Sequence, residues 1–105
     1  MQKSEAKLLA LSFLEENRCD KIIESDGKPR RYAIMEQFTE KKPYGWIFYY
    51  NSARFVETND LLEALAGNGP LVVFHNGEVV ELGSAYAPEV AIQKLEKSRG
   101  IESGR

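Results

Sequence analysis

Residues 44–52 read Tyr-Gly-Trp-Ile-Phe-Tyr-Tyr-Asn-Ser and contain the single tryptophan of the chain and its densest aromatic cluster. Side chains along a β-strand point alternately to the two faces of the sheet. The residues of the first face are Trp46, Phe48 and Tyr50, and those of the second face are Ile47, Tyr49 and Asn51. Bulky groups on both faces allow two interpretations: a central strand that is covered on both sides, or a strand with one face left for a partner.

The length of 105 residues, with 43% hydrophobic and 29% charged residues, is typical of one globular domain. We expect residues 1–97 to form this domain and residues 98–105 to be a flexible C-terminal tail. The formal net charge of −2 gives no case for a nucleic-acid partner, and none is expected. The small basic groups at residues 28–31 and 41–42 flank turn signals, which favours solvated loops.

The single cysteine, Cys19, excludes an internal disulfide and is typical of a reducing compartment. Ser12, Glu15 and Glu16 interrupt the first apolar segment, which therefore does not resemble a signal peptide. No stretch approaches the roughly 20 apolar residues of a membrane span. We expect a cytoplasmic protein with no membrane partner.

Three helices are predicted. Apolar residues at spacings of three and four predict a helix over residues 4–17. Asp60, with Glu63 three residues later, predicts an N-cap and a short helix over residues 60–66. Pro88 suits the first turn of a final helix, in which Ala91, Ile92 and Leu95 form the buried stripe and Glu96 faces water.

Alternation predicts the strands. Residues 31–39 form a strand that pairs antiparallel with the Trp46 strand across the loop at residues 40–45. Residues 71–75 and 78–82 form a hairpin around a two-residue Asn76-Gly77 turn of type I′. This register sets Phe74 opposite Val79, Val73 opposite Val80, and Leu71 opposite Leu82.

The order of elements predicts an α+β fold. Its mostly antiparallel sheet has about four strands, the N- and C-terminal helices pack on one face, and one short helix precedes the β-hairpin. The other face of the sheet keeps the apolar groups that the helices do not reach.

A catalytic site is not evident. His75 is the single histidine and lies beside the hairpin turn without a nucleophile at a diagnostic spacing, so a structural role is favoured. Cys19 and His75 are far apart in sequence and carry no signature of a nucleophile and base. We expect no catalytic, metal or cofactor-binding residues, and therefore no enzyme.

Taken in order, five segments of the chain resemble one known family. They are residues 45–52, 55–58, 65–73, 77–79 and 82–83. The most specific part is the Gly-Asn-x-Pro turn at residues 67–70, followed by an apolar strand and a Gly-Glu-Val turn. These segments resemble the immunity protein 35 family, also called the YrhB domain.

This resemblance implies a small α+β immunity protein of a bacterial polymorphic toxin system, which neutralises its cognate toxin by direct binding. The related YrhB type has also been associated with chaperone-like behaviour. The family's recurrent Trp, Gly, Asn and Pro fall on Trp46, Gly45, Asn68 and Pro70, as determinants of the fold. The tight turn at residues 75–77 departs from relatives that often carry a longer one.

Two functional hypotheses use the same exposed sheet face. In the first, the chain occludes a toxin through apolar anchors surrounded by acidic groups. The predicted partner-binding residues are Ile47, Tyr49, Glu57, Asp60, Glu63, Phe74, Glu78 and Glu81. In the second, the chain is a chaperone-like or general protein-binding module.

A structural interpretation stays open beside both hypotheses. The aromatic residues could instead complete the core or be buried in a homodimer. The residues assigned to structure are Gly45, Trp46, Phe48, Asn68, Pro70 and Gly77.

Overall fold

The computed structural model of the chain describes residues 1–17, 27, 31–65 and 68–101, except for the side chain of Glu63. Cys19, the first residue of the turn at 67–70 and most of the segment between the first two elements lie outside these ranges. The predicted tail is described only as far as residue 101. None of the helices in the described ranges is long and apolar enough to span a bilayer.

The described residues contain three α-helices, two single turns of 3₁₀-helix and six short strands. The helices are α1 (Lys3–Asn17), α2 (Ala53–Thr58) and α3 (Pro88–Arg99). The 3₁₀ turns are Glu36–Phe38 and Leu61–Glu63. The strands are β1 (Tyr32–Ile34), β2 (Glu40–Lys42), β3 (Gly45–Phe48), β4 (Tyr50–Ser52), β5 (Leu71–Phe74) and β6 (Val79–Glu81).

All strand pairs of the described sheets are antiparallel. One sheet has four strands in the order β2-β3-β5-β6, and a separate two-stranded sheet pairs β1 with β4. With helices flanking these sheets, the α+β prediction is confirmed.

Helix α1 covers one face of the four-stranded sheet. Its stripe of Ala6, Ala10 and Leu14 is fully buried against a cluster that includes Phe48 and Tyr50. Trp46 packs at the edge of the same cluster. The assignment of Trp46, Phe48 and Tyr50 to one core face is therefore correct.

Helix α3 covers the opposite face, so the prediction that both terminal helices pack on one face is wrong. Ile92 of α3 belongs to a second buried cluster that contains Ile47, Val72 and Phe74. The physical reason lies in β5, whose four residues are all apolar and all buried. A strand that is apolar on both faces needs a layer on each side, and one helix supplies each layer.

The long strand predicted around Trp46 is interrupted at Tyr49. Tyr49 belongs to neither β3 nor β4, and its carbonyl accepts a hydrogen bond of 2.7 Å from the Met35 amide. The opposite strand is interrupted as well, by the 3₁₀ turn Glu36–Phe38. The predicted antiparallel pair thus forms as two short ladders, β1 with β4 and β2 with β3.

The helix that precedes the hairpin begins earlier than predicted. Ser52 caps α2 by accepting a hydrogen bond of 3.1 Å from the Phe55 amide, and Asn59 ends the helix in the left-handed conformation with φ of 59°. Asp60 does act as a cap, through a 3.0 Å bond from the Leu62 amide, but it caps a single 3₁₀ turn. The helix predicted over residues 60–66 is therefore wrong in position.

The hairpin between β5 and β6 has a three-residue loop. The amides of Phe74 and Gly77 donate hydrogen bonds of 2.9 Å to the carbonyls of Glu78 and Phe74, respectively. Gly77 has φ of 93°, which supplies the left-handed residue that such loops require. The predicted two-residue turn is wrong. Glu78 lies opposite Phe74, so His75 belongs to the loop, whereas the prediction set Glu78 opposite His75.

The longer loop moves the strand register by one residue. Val73 pairs with Val79 and Val72 with Val80, whereas the prediction set Val73 opposite Val80. A shift of one residue exchanges the faces of a strand. Val79 consequently packs on the α1 side of the sheet and Val80 on the α3 side.

Two asparagines brace the connections around β4. The Asn68 side-chain amide donates a 2.6 Å bond to the Tyr50 carbonyl, and the Asn51 side chain accepts a 2.7 Å bond from the Leu65 amide. Pro70 is fully buried at the entrance of β5. These contacts tie the segment before β5 to β4.

Gly45 allows β3 and β5 to approach each other closely. A Cβ atom at this position would overlap the carbonyl oxygen of Val73, a backbone atom that a rotamer change cannot move. Gly45 is thus a steric requirement of the central strand pair.

We expect Gly45→Ala to lower the free energy of unfolding by about 1–3 kcal/mol or more, because the added methyl group must push the two central strands apart. Urea denaturation measures the change. Gly83→Ala is the control, since a Cβ at Gly83 meets no atom within 4 Å, and we expect it to stay within about 0.5 kcal/mol of the wild type. Equal losses in the two variants would contradict the steric explanation.

Candidate partner-binding surface

The interruption at Tyr49 creates an aromatic pair at the surface. The Tyr49 ring packs against the cluster under α3 and is half-buried, and it meets the Phe38 ring edge-on at a centroid distance of 6.3 Å and an interplanar angle of 73°. Phe38 is 53% exposed, because the 3₁₀ turn that carries it lies outside the sheet. Aromatic rings held in this way are typical anchors of protein interfaces.

A cleft of about 380 Å³ opens beside this pair, and we call it the Tyr49 cleft. Its lining residues are Met35, Phe38, Glu40, Tyr49, Pro88 and Glu89. The first four lie around the interrupted strand pair, and the last two form the start of α3. The Tyr49 cleft therefore depends on the packing of α3 against the sheet.

A second cleft of about 430 Å³ lies on the other side of Met35, Tyr49 and Pro88. Its outer wall is the connection at residues 83–87, which includes the 55% exposed side chain of Tyr86. The two clefts share three lining residues and form one continuous surface.

The Tyr49 cleft is acidic at its rim. Glu40 and Glu89 are both exposed, and neither forms an ion pair with any residue in the described ranges. Burial raises the pKa of the Tyr49 hydroxyl, and the negative charges of Glu40 and Glu89 raise it further. The two carboxylates thus place negative charge beside the Tyr49 hydroxyl.

Of the predicted apolar anchors, only Tyr49 lies at a surface. Ile47 is fully buried and Phe74 is 8% exposed, because α3 covers the sheet face that was expected to be free. Arg99 also lies over the Phe74 ring at 4.6 Å. The prediction of an uncovered apolar sheet face is wrong.

Two of the predicted acidic residues lie on the hairpin and have partners on other elements, Glu78 on α3 and Glu81 on β4. Glu78 forms a bidentate pair with Arg99 at 2.7 and 2.8 Å, which lowers the pKa of the Glu78 carboxyl. Glu81 accepts a 2.7 Å hydrogen bond from the Tyr50 hydroxyl. The Glu81 hydrogen bond connects the hairpin to β4, and the exposed Glu78 pair connects it to α3.

The other predicted acids lie around α2. Glu57 is exposed, and Asp60 uses its carboxylate to cap the 3₁₀ turn that follows. The side chain of Glu63 lies outside the description. Neither Glu57 nor Asp60 lines either of the two clefts described above.

Sequence reasoning did not identify Phe38, Glu40 and Glu89 as residues that line a cleft. Phe38 was assigned to a regular strand, and Glu40 to a loop. Glu89 follows Pro88 in the first turn of α3, so its position depends on which sheet face the helix covers. A local signal was present only for Phe38, an aromatic residue beside the polar segment 39–42.

Glu96 was also missed, since it was predicted to face water. Its side chain is 5% exposed and accepts a 2.6 Å hydrogen bond from the Tyr44 hydroxyl, with the Lys42 ammonium 3.9 Å from the same oxygen. This cluster fixes α3 against the turn between β2 and β3. Burial, followed by the Glu96 hydrogen bond and charge, raises the pKa of Tyr44 well above its usual range.

His75 is exposed in the hairpin loop, and Cys19 lies outside the described residues. Within the described ranges, no group of three or more His, Cys, Asp or Glu side chains is arranged to hold a metal ion.

We expect Tyr44→Phe to lower the free energy of unfolding at pH 7 by about 1–3 kcal/mol, because Glu96 keeps its burial and loses its donor. The raised pKa means that the folded state favours the protonated phenol. This contribution is complete below the unfolded pKa of about 10 and is lost as the pH rises through the folded pKa.

Urea denaturation at pH 7, 9 and 11 checks this prediction. The difference between wild type and Tyr44→Phe should narrow above pH 10. Tyr86→Phe is the control, because this exposed tyrosine keeps its ring contact with Lys94 and should match the wild type. A difference that does not change with pH would contradict the assignment.

A profile of the family described as Immunity protein 35 matches residues 10–91, a span that contains every residue lining the two clefts. A protein of Escherichia coli strain K12, described as uncharacterized protein YrhB, is 38% identical over 53 residues. The matched region covers 50% of this chain and 56% of that protein, so the chain spans about half the length of this relative. No solved structure matches the chain significantly.

Proposed function

Because the chain belongs to the immunity protein 35 family, we propose that it neutralises a cognate bacterial toxin by binding to it directly and occluding it. The family match is the observation that carries this proposal. Under this proposal, the chain is a non-catalytic inhibitor of the toxin of a polymorphic toxin system. It acts in the cytoplasm and needs no cofactor.

The Tyr49 cleft is the surface that we propose for the toxin. It combines a half-buried and a half-exposed aromatic ring with a concave shape, which is the arrangement that concentrates binding energy in interfaces. The Tyr49 ring is supported from behind by the cluster under α3, so little conformational freedom is lost when a partner covers it.

This surface replaces the sheet face that the sequence suggested. Since α3 covers Ile47 and Phe74, these residues support the cleft from within. Of the residues first assigned to the partner, Tyr49 is retained as an anchor. Glu57 stays exposed and available, although it does not line the cleft.

A chaperone-like or general binding role is the second candidate. It is favoured by Leu61 and Leu62, which are 80% and 92% exposed on the 3₁₀ turn after α2. Adjacent exposed leucines are a feature of surfaces that bind apolar segments. In this role the chain would bind many unfolded proteins weakly, whereas an immunity protein binds one partner in a fixed ratio.

The product of the reading frame adjacent to this gene is the test partner for neutralisation. We expect wild-type protein to form a stoichiometric complex with it at nanomolar affinity and to restore growth of cells that express it. Weak binding to several unfolded proteins, with no complex and no rescue of growth, would instead support the chaperone-like role.

Phe38→Ala should weaken this complex by about 2 kcal/mol, or about 30-fold in Kd, because it removes an exposed anchor ring. Calorimetric titration measures the affinity, and urea denaturation should show little loss of stability. Leu8→Ala, which removes a 67% exposed apolar side chain on α1, is the control and should bind like the wild type. Equal effects of the two substitutions would exclude the cleft as the contact.

Tyr49→Ala should both weaken binding and lower stability, because the Tyr49 ring packs against the cluster under α3 as well as lining the cleft. Tyr49→Phe keeps the packing and removes only the hydroxyl. The comparison of the two variants separates the contribution of the ring from that of the hydroxyl group.

A further inference from the structure

Several aromatic rings of this chain already carry a cation from the chain itself. In the described ranges, Arg99 lies over Phe74, Lys94 over Tyr86 and Lys41 over Trp46. The distances to the ring centre, measured from the guanidinium carbon or the ammonium nitrogen, are 4.6, 4.7 and 5.8 Å, respectively. A cation over an aromatic face is attracted by the negative potential of the ring.

Around Phe74, the contact between cation and ring is accompanied by a carboxylate that pairs with the same cation. Arg99 stacks on the Phe74 ring and at the same time forms two hydrogen bonds with the Glu78 carboxylate, at 2.7 and 2.8 Å. The planar guanidinium group can do both, because its face stacks while its edge donates. At Phe74, an aromatic ring beside a carboxylate thus binds an arginine side chain of the same chain.

The Tyr49 cleft has the same components without the cation. The rings of Phe38 and Tyr49 lie beside the exposed carboxylates of Glu40 and Glu89, and no lysine or arginine of the described ranges covers either ring. Both carboxylates act on the Tyr49 hydroxyl, so both charges are close to the ring.

The basic residues that follow Glu40 in β2 are engaged elsewhere. Lys41 lies over the Trp46 ring, on the α1 side of the sheet, and Lys42 has its ammonium group 3.9 Å from the buried Glu96 carboxylate. They do not neutralise the rim of the cleft. The negative charge of Glu40 and Glu89 is therefore left for a group from outside the chain.

We infer that the Tyr49 cleft receives an arginine side chain of the protein partner. The guanidinium group packs against the Phe38 and Tyr49 rings, stacking on the face of one of them because their planes are 73° apart, and pairs with the carboxylates of Glu40 and Glu89. This inference rests on the proposed function and specifies the chemistry of the partner at that site: a basic, arginine-bearing segment. The cleft of about 380 Å³ has room for one such side chain.

The charge dependence of toxin binding tests this inference. With the adjacent reading-frame product as the probe, the double variant Glu40→Gln and Glu89→Gln should bind at least 10-fold more weakly than the wild type at low salt. Its affinity should also depend less on salt concentration, because the screened attraction is gone. Glu15→Gln, an exposed site on α1, is the matched control and should change the affinity less than twofold.

A small probe tests the site without the toxin. Capped tri-arginine, titrated into ¹⁵N-labelled protein, should shift the amide resonances of Met35, Tyr49 and Glu89. Capped tri-citrulline, which has nearly the same shape and no charge, should not. The double variant should lose the shifts, while Glu15→Gln should keep them.

The two experiments separate failure of the inference from failure of the proposed function. If the toxin binds and the double variant binds equally well, the inference is wrong and the proposed function stands. If no toxin binds but tri-arginine shifts these amides, the proposed function fails and the arginine site stands. Shifts spread over other surfaces, or equal shifts with tri-citrulline, would overturn the arginine site itself.

Discussion

The two central strands of the sheet are apolar on both faces, and the need to bury both faces is the constraint on which the rest of the structure depends. Strands β3 and β5 pair in the middle of the sheet, and every residue of β5 is buried. Each face therefore needs its own cover. Helix α1 supplies the first with a narrow alanine and leucine stripe, and α3 supplies the second with Ile92 at its centre. The position of α3 in turn creates the cleft, because Pro88 and Glu89 form one of its walls.

The sequence predicted which strand faces are apolar better than it predicted which helix covers each face. The alternation of Trp46, Phe48 and Tyr50 identified one core face, since burial of a strand face follows directly from a period of two. The four apolar residues of β5 were a signal for burial on both faces, but the hairpin was interpreted as one that keeps a face free. Errors in position arose where a single residue decides the local hydrogen bonds. The Ser52 cap starts α2 earlier than predicted. One additional residue in the hairpin loop shifts the register of β5 and β6 by one.

Only part of the candidate site could be predicted from sequence. Tyr49 was identified because a bulky residue on the second strand face needed an explanation. Phe38, Glu40 and Glu89 join it through contacts between segments far apart in the chain, and these depend on the interruption at Tyr49 and on the side that α3 covers. The burial of Glu96 depends on the same choice, because a helix on the other face would leave it in water. Periodicity reports which face of an element is apolar and does not report which element covers it.

The edges of the four-stranded sheet limit how another chain can attach to it. The edge strands β2 and β6 have three residues each; β2 consists of Glu40, Lys41 and Lys42, and β6 ends in Glu81. Short, charged edges resist the addition of a further strand, whether from a second copy or from an unfolded chain. Backbone pairing is then a poor route for association, and a partner is selected by side chains that fit a defined shape. In the proposed function, recognition by side chains rather than by backbone pairing is what would let such a protein discriminate one partner from its near relatives.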